Sequence, residues 1–364
     1  MLLHIVFFVA GLVALVAGAS SLVRGASKLA LSVGISPLVV GLTIVAFGTS
    51  SPEMAITVGA TLEGQYDIAV GNVIGSNIFN VLFILGLSAL IVPLVVHSQL
   101  IRQEVPIMIG ASLLVLALGL DGAINWIDGA ILFGLLLFYT AFLVIQSRRA
   151  TKAESADFDA ELQPAAANEW DAKLPVQIVL IVIGLVLLVL GSGWLIDSSI
   201  AFARAFGVSE LIIGLTIVAA GTSMPEVATS ITAAIKGERD IAVGNVVGSN
   251  TFNLLGVLGL GGMVSFGSAG LVFSEAVLAF DVWIMLAVAL ACLPVFISGR
   301  EIARWEGAVF VGYYVAYVAY LILAAQQHAA LEGFSMVMMG FVVPLTIVTL
   351  VVVLLRHKAP AKAD

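Results

Sequence analysis

Residues 41–80 read GLTIVAFGTSSPEMAITVGATLEGQYDIAVGNVIGSNIFN, and residues 214–253 read GLTIVAAGTSMPEVATSITAAIKGERDIAVGNVVGSNTFN. The two stretches keep one offset, 214 − 41 = 173, without a gap, and agree at 26 of 40 positions. Each carries a carboxylate directly after a proline, Pro52-Glu53 and Pro225-Glu226, inside a long apolar run. A charge held at membrane depth costs about 2.5–3.5 kcal/mol on insertion scales, so such residues mark substrate or ion paths. A duplicated acid in a duplicated segment points to a site where two halves of the chain meet.

Outward from these stretches the same offset persists. Gly11 matches Gly184, Gly18 matches Gly191, Leu22 matches Leu195, Gly34 matches Gly207 and Ser36 matches Ser209. The first apolar run therefore belongs to the repeat and is expected to be kept, although Ala17-Gly18-Ala19 resembles a signal-peptide cleavage site. The chain has 364 residues, 61% hydrophobic and only 10% charged, with a mean hydropathy of +1.16. So few charges cannot cover a water-soluble domain. The apolar runs are continuous and helix-length, not the alternating short segments of a β-barrel. The reading is an all-α polytopic membrane protein in the lipid bilayer. The single cysteine, Cys292, excludes an intrachain disulfide and a cysteine-rich metal cluster. Basic patches interleaved with aromatics are lacking, which argues against nucleic acid.

A spanning helix needs about 20 mainly apolar residues. Eleven candidate spans follow, roughly 3–23, 31–59, 68–96, 104–120, 126–146, 175–197, 207–235, 241–265, 275–298, 305–326 and 334–355. The expected organisation is a first five-helix repeat (1–147), an acidic linker (148–173), a second five-helix repeat (174–327) and an extra C-terminal helix with a basic tail (328–364). Much of the net charge of −8 sits in the linker, at Glu154, Asp157, Asp159, Glu161, Glu169 and Asp171. An odd number of spans per repeat inverts the second copy relative to the first. With the N-terminus outside, 14 of the 15 Lys and Arg residues are cytoplasmic and only Arg204 is external. That asymmetry sets orientation, and it places the linker and the C-terminus in the cytoplasm.

The first motif is Ala46-Phe47-Gly48-Thr49-Ser50-Ser51-Pro52-Glu53. Pro52 lacks an amide hydrogen and crowds the carbonyl four residues back. A kink or an unwound turn is expected there, with carbonyls freed around Ala46 to Thr49. Such groups are tolerated at membrane depth only where something satisfies them, and a desolvated cation can. Thr49 and Ser50 add hydroxyls and Glu53 adds charge. The second copy supplies Ala219, Thr222, Ser223 and Glu226. An all-oxygen set suits hard cations such as Na⁺ and Ca²⁺ better than zinc or copper. The bland alternative is a structural kink at Pro52 and helix packing by the hydroxyls.

The second motif is Gly71-Asn72-Val73-Ile74-Gly75-Ser76-Asn77-Ile78-Phe79-Asn80, matched by Gly244 to Asn253. Asn72, Ser76 and Asn80 share one helix face, as do Asn245, Ser249 and Asn253. Amide and hydroxyl oxygens coordinate a cation without adding charge; the alternative is polar glue between helices. Asn77 and Asn250 lie off the face. Among other acids, Glu63, Asp67, Glu238 and Asp240 fall in short loops, and Glu104, Asp121, Asp128 and Glu275 near span ends. Asp281 is deeper and has no counterpart at position 108, which is Met. The four histidines lie near interfaces without ligand spacing. Gly191-Ser192-Gly193 is the nearest approach to a hydrolase serine, but no histidine shares its depth, so an enzyme is not expected.

Two Gly-Thr-Ser-x-Pro-Glu elements and two Gly-Asn-x-x-Gly-Ser-Asn-x-x-Asn elements make the chain resemble the cation/Ca²⁺ exchanger superfamily, in its prokaryotic Na⁺/Ca²⁺ exchanger branch. The resemblance covers roughly residues 3–326. It implies ten helices in inverted five-helix repeats, with broken helices around the ions, and leaves the eleventh span outside the pattern. It implies ion ligands at Glu53 and Glu226, at Thr49, Ser50, Ser76, Thr222, Ser223 and Ser249, and at the backbone of Ala46 and Ala219, with Asn80 a central polar ligand. Asn253 departs from relatives that carry aspartate there, among them K⁺-dependent exchangers. The implied function is a secondary-active antiporter of the inner membrane that exchanges Na⁺ for Ca²⁺ electrogenically by alternating access, with no cofactor. A H⁺/Ca²⁺ antiporter is the alternative, although that branch usually has Gly-Asn-x-Pro-Glu in the first motif. A cation channel is the rival from another class. Channels usually build a pore from oligomeric symmetry, whereas this site is complete within one chain.

Overall fold

The computed structural model describes residues 1–157, 171–206 and 219–357. Most of the linker, the first part of the seventh expected span with Gly207 and Ser209, and the basic tail from 358 lie outside the described residues. In chain order the first half contains α1 (Leu2–Val33), α2 (Pro37–Thr49), α3 (Ser51–Leu62), α4 (Tyr66–Ile91), β1 (Leu94–Val95), α5 (Leu100–Gly119), β2 (Ala123–Ile124) and α6 (Trp126–Asp157). The second contains α7 (Leu174–Ala205), α8 (Ala219–Gly221), α9 (Met224–Ile235), α10 (Arg239–Val264), β3 (Leu271–Val272), α11 (Val277–Ile297), β4 (Glu301–Ile302), α12 (Arg304–Ala325) and α13 (Ala330–Val353). Among the described residues nine helices are long and apolar enough to cross a membrane, or ten if α2 and α3 form one bent span.

The first boundary differs from expectation for a local reason. The helix from Leu2 continues to Val33 and stops at Gly34, whose φ of 65° is left-handed. Glycine takes that conformation without a Cβ clash. Ser36 then caps the next helix, accepting from the Val39 amide at 3.3 Å, and Pro37 occupies its first turn. The second span thus starts at Pro37, six residues after its expected start at 31.

Helices α1 and α7 pack along their length through glycines. A Cβ on Gly11 would lie 2.8 Å from the Gly191 carbonyl oxygen, and one on Gly18 would lie 2.8 Å from that of Gly184. Gly184 is the copy of Gly11 (11 + 173) and Gly191 the copy of Gly18 (18 + 173). Each glycine meets the other's copy, as an antiparallel crossing about a two-fold axis requires. Ser21 Oγ donates to the Leu180 carbonyl at 2.9 Å, and Gln177 Nε2 to Ser32 Oγ at 2.7 Å. Where the linker re-enters, Arg24 Nε pairs with Asp171 at 2.6 Å. That hydrogen bond holds the Asp171 carboxyl below the usual carboxylate range.

Helix α10 is buried along its whole apolar length, whereas α13 buries none of its own and presents Met336, Phe341, Ile347 and Val351 outward. A helix apolar all round and this exposed suits lipid. At the two ends of the bundle the halves are laced together by short antiparallel ladders. Leu94 and Val95 pair with Ile302 and Glu301 at one end, and Ala123 and Ile124 pair with Val272 and Leu271 at the other. Several helices carry a π turn, among them Asn80–Leu85 in α4 and Asn253–Val257 in α10. These two begin at the same repeat position (253 − 80 = 173). An inserted residue of this kind re-aims the side chains around it and recurs at functional sites.

Candidate functional site

The break expected at Pro52 falls just before it. Ser50 has ψ 7° and Ser223 has ψ 11°; Ser50 ends α2 and opens α3, and Ser223 opens α9 just after α8 stops at Gly221. Helices α2 and α3 meet there at 44°. Pro52 and Pro225 sit in the first turn of α3 and α9, where a missing amide hydrogen costs nothing. They start helices rather than kink them. The Ala46 carbonyl is also not freed as expected: it accepts the Ser50 amide at 3.0 Å and stands 3.4 Å from Thr49 Oγ1. Its second lone pair remains. Glu53 and Glu226 occupy the same first turns, where the amide ends of a helix favour negative charge.

The side chains from the two halves interlock. Ser223 Oγ donates to Glu53 Oε1 at 2.8 Å, and Ser50 Oγ donates to Glu226 Oε1 at 3.1 Å. Ser223 Oγ also reaches Ser76 Oγ at 3.3 Å, and Thr49 Oγ1 lies 3.5 Å from Ser249 Oγ. Asn80 Nδ2 donates to Asn250 Oδ1 at 2.9 Å. Of the predicted residues, Glu53, Glu226, Thr49, Ser50, Ser223, Ser76, Ser249, Asn80, Asn253 and Ala46 expose at most 1% of their surface, and Thr222 exposes 5%. Ala219 opens the short helix α8.

Buried polar atoms are nearly always hydrogen-bonded, so the exceptions need a reason. Here they cluster. Glu53 Oε2, Glu226 Oε2, Asn80 Oδ1, Thr222 Oγ1 and both amide atoms of Asn253 are buried without a protein partner. Two carboxylate oxygens, two amide oxygens and a hydroxyl, all buried and free, make an acceptor-rich set suited to a desolvated hard cation. Among the described residues no three His, Cys, Asp or Glu side chains converge, and the buried charge of the two motifs comes from the two glutamates.

The remaining motif asparagines act as braces. Asn72 Nδ2 donates to the Glu53 carbonyl at 3.1 Å and to Thr57 Oγ1 at 3.0 Å. Asn245 Nδ2 donates to Ser230 Oγ at 2.9 Å, and Asn77 Nδ2 to the Val73 carbonyl at 2.8 Å. Sequence reasoning passed over Thr57 and Ser230. The available signal was a hydroxyl one helical turn after each glutamate, at positions related by 230 − 57 = 173.

A second hidden repeat corrects the reading of Asp281. Its structural counterpart is Glu104, not Met108. Each acid closes a π turn, Leu100–Glu104 in α5 and Val277–Asp281 in α11. Each accepts a tyrosine hydroxyl from a later helix of its own half, α6 or α12: Tyr139 donates to Glu104 Oε2 at 2.6 Å, and Tyr317 to Asp281 Oδ1 at 2.8 Å. The separation is 281 − 104 = 177, four more than the motif offset, so an ungapped comparison misses it.

The profile of the sodium/calcium exchanger protein family matches residues 3–145 and 176–323. The chain is 36% identical over 281 residues to the inner membrane protein YrbG of Escherichia coli (strain K12), covering 77% of this chain and 85% of that one. It is 31% identical over 309 residues to the sodium/calcium exchanger MaX1 of Methanosarcina acetivorans, covering 77% and 87%. The fold is similar to that of the sodium–calcium exchanger NCX_Mj, with a TM-score of 0.73 at 29% identity, over 88% of this chain and 98% of that one.

Proposed function

Because the chain belongs to the sodium/calcium exchanger protein family, we propose that it is a Na⁺-driven Ca²⁺ antiporter whose two cargoes compete for one site between the repeats. The family is one of transporters, not enzymes, and the ions are substrates rather than cofactors. The observation that carries the reading is the pair of glutamates, one from each half, each with one oxygen held by a serine of the other half and one oxygen unpaired. Two carboxylates neutralise one Ca²⁺. Na⁺ ions use the same carboxylates with the neighbouring oxygens of Thr49, Ser50, Ser76, Thr222, Ser223, Ser249, Asn80 and Asn253 and the backbone at Ala46 and Ala219. More than two Na⁺ fit such a mixed set, since the neutral oxygens carry the excess, and the exchange then moves net charge. The protein sits in the inner membrane with its N-terminus outside and its linker and C-terminus in the cytoplasm. The test is Ca²⁺ uptake by vesicles loaded with Na⁺, compared with vesicles loaded with K⁺ or holding only a pH gradient. Uptake is expected with Na⁺ inside. Equal uptake on a pH gradient alone would replace Na⁺ coupling by proton coupling.

A further inference from the structure

We infer that Ser230 and Asn245 form a relay that orients the Thr49 hydroxyl as a cation ligand, and that the corresponding pair in the first repeat, Thr57 and Asn72, does not do the same for Thr222. The inference rests on the proposed ion site and adds two positioning residues and an asymmetry to it.

A hydroxyl has one proton and two acceptor lone pairs. It binds a cation only when the proton points elsewhere. Around Thr49 Oγ1 the shortest hydrogen bond runs to Asn245 Oδ1, at 3.1 Å. The Ala46 carbonyl stands at 3.4 Å and Ser249 Oγ at 3.5 Å. Thr49 also borders the Glu226 carboxylate, which competes for the same proton. Asn245 presents its oxygen to Thr49 and its Nδ2 to Ser230 Oγ at 2.9 Å, with the serine hydroxyl as acceptor. All three side chains are fully buried. Turning the Asn245 amide over would put an N–H against Thr49 Oγ1. The threonine proton would then swing toward Glu226, occupying carboxylate oxygen that a cation needs.

The first repeat has the same residue types and a different outcome. Asn72 Nδ2 is shared between Thr57 Oγ1 and the Glu53 carbonyl. Thr222 Oγ1 makes no hydrogen bond to the Asn72 amide; its neighbour is the Glu53 carboxylate, toward which its proton turns. The threonine from the first half is therefore aligned in advance by α9 and α10 of the second, whereas the threonine from the second half is not. An oriented ligand does not have to be reordered when the ion arrives, so the Thr49 side should contribute more to affinity.

The test uses the full chain in vesicles and measures Na⁺-driven Ca²⁺ uptake over a range of Ca²⁺ concentrations. Ser230→Ala is expected to raise half-saturating Ca²⁺ by about five- to tenfold, the scale of one lost buried hydrogen bond, with little change in maximal rate. Ser230→Thr, which installs the hydroxyl residue used at Thr57, should restore affinity, and Ser230→Cys should fall between. Thr57→Ala should shift affinity less than Ser230→Ala. If the relay acts through Thr49, then in a Thr49→Val background Ser230→Ala should add less than about a twofold further shift, as coupled sites do in a double-mutant cycle. Simple packing between α9 and α10 would give the opposite pattern: Ser230→Ala effects that multiply with Thr49→Val, or a fall in rate without a shift in affinity. Either overturns the relay, and equal effects of Thr57→Ala and Ser230→Ala overturn the asymmetry. Failure of the underlying site reading looks different, because Glu53→Gln and Thr49→Val would then leave uptake unchanged, which removes the relay with it.

Discussion

Ser223 reaches out of its own repeat to hold Glu53 at 2.8 Å. The copied contact, Ser50 to Glu226 at 3.1 Å, runs the opposite way. Each serine that opens a helix in one half is the hydrogen-bond donor for the glutamate in the first turn of a helix in the other. The serine protons engage Oε1 of each glutamate, and Oε2 of each is buried without a protein partner.

Both glutamates should be indispensable. A Gln at either position keeps the shape and removes half of the charge available to Ca²⁺. Breaking a buried charge pair by removing one partner costs about 3–5 kcal/mol, which is more than about a hundredfold in affinity. Glu53→Gln and Glu226→Gln should each abolish Ca²⁺ uptake in vesicles while the protein still inserts. Near-normal uptake by either variant would remove the central claim.

The orientation can be read by labelling single cysteines from each side in a Cys292→Ser background. Gln65→Cys, in the turn between α3 and α4, should react with an impermeant reagent applied to intact cells. Ser155→Cys, at the linker end of α6, should react only after the cells are opened. The reverse pattern would invert the topology.

An exchange that carries more than two Na⁺ per Ca²⁺ must respond to voltage. Each net charge moved through 100 mV is worth about 2.3 kcal/mol. Setting the vesicle potential with a K⁺ ionophore should therefore change the uptake rate and the final Ca²⁺ gradient. Indifference to the imposed potential points to an electroneutral two-for-one exchange.

Exchange should not need K⁺. Asn253 is fully buried with its amide oxygen and nitrogen both unpaired. An amide oxygen can coordinate but brings no charge, so a further monovalent ion recovers little of its lost hydration there. Asn253→Asp adds that charge and should alter the Na⁺ or K⁺ dependence of uptake. Strong K⁺ stimulation of the unmodified protein, or an Asn253→Asp variant with the same ion dependence, would count against a ligand role.

The α1–α7 seam should tolerate no added atoms. A Cβ at Gly18 meets the Gly184 carbonyl oxygen at 2.8 Å and the Leu188 amide nitrogen at 3.0 Å, both backbone atoms, whereas a Cβ at Gly193 on α7 meets nothing within 4 Å. Overpacking of this kind costs about 1–3 kcal/mol. Gly18→Ala should lower the thermal unfolding midpoint in detergent, and Gly193→Ala should leave it nearly unchanged. Equal midpoints would mean that the seam has slack.

The sequence marks the candidate site residues because they are written twice at one offset, and it shows the spans because lipid demands long apolar runs. The pairing across the site is not legible in the same way. That Ser223 serves Glu53, and not its near neighbour Glu226, depends on how two inverted halves dock. The π turns at Asn80 and Asn253 are invisible to a 3.6-residue period. Pro52 reads as a kink because proline disrupts a helix interior; only the backbone at Ser50 reveals that a new helix starts there. The Glu104 and Asp281 pairs stayed hidden for a different reason, since four extra residues shift their register. Thr57 and Ser230 carried a usable signal, but a buried hydroxyl after an acid has many innocent explanations.

The crossed serine–glutamate contacts also bear on inheritance. Each half forms the immediate surroundings of the other's glutamate, so a substitution near residue 223 is felt first at residue 53. Two copies of a duplicated segment ordinarily diverge freely. These cannot, because a change accepted by one must suit the other, and repair of a damaging change has to be sought 170 residues away (223 − 53). The 26 shared positions in the 40-residue stretch are the imprint expected of two descendants that have each served as the other's selective environment since the duplication.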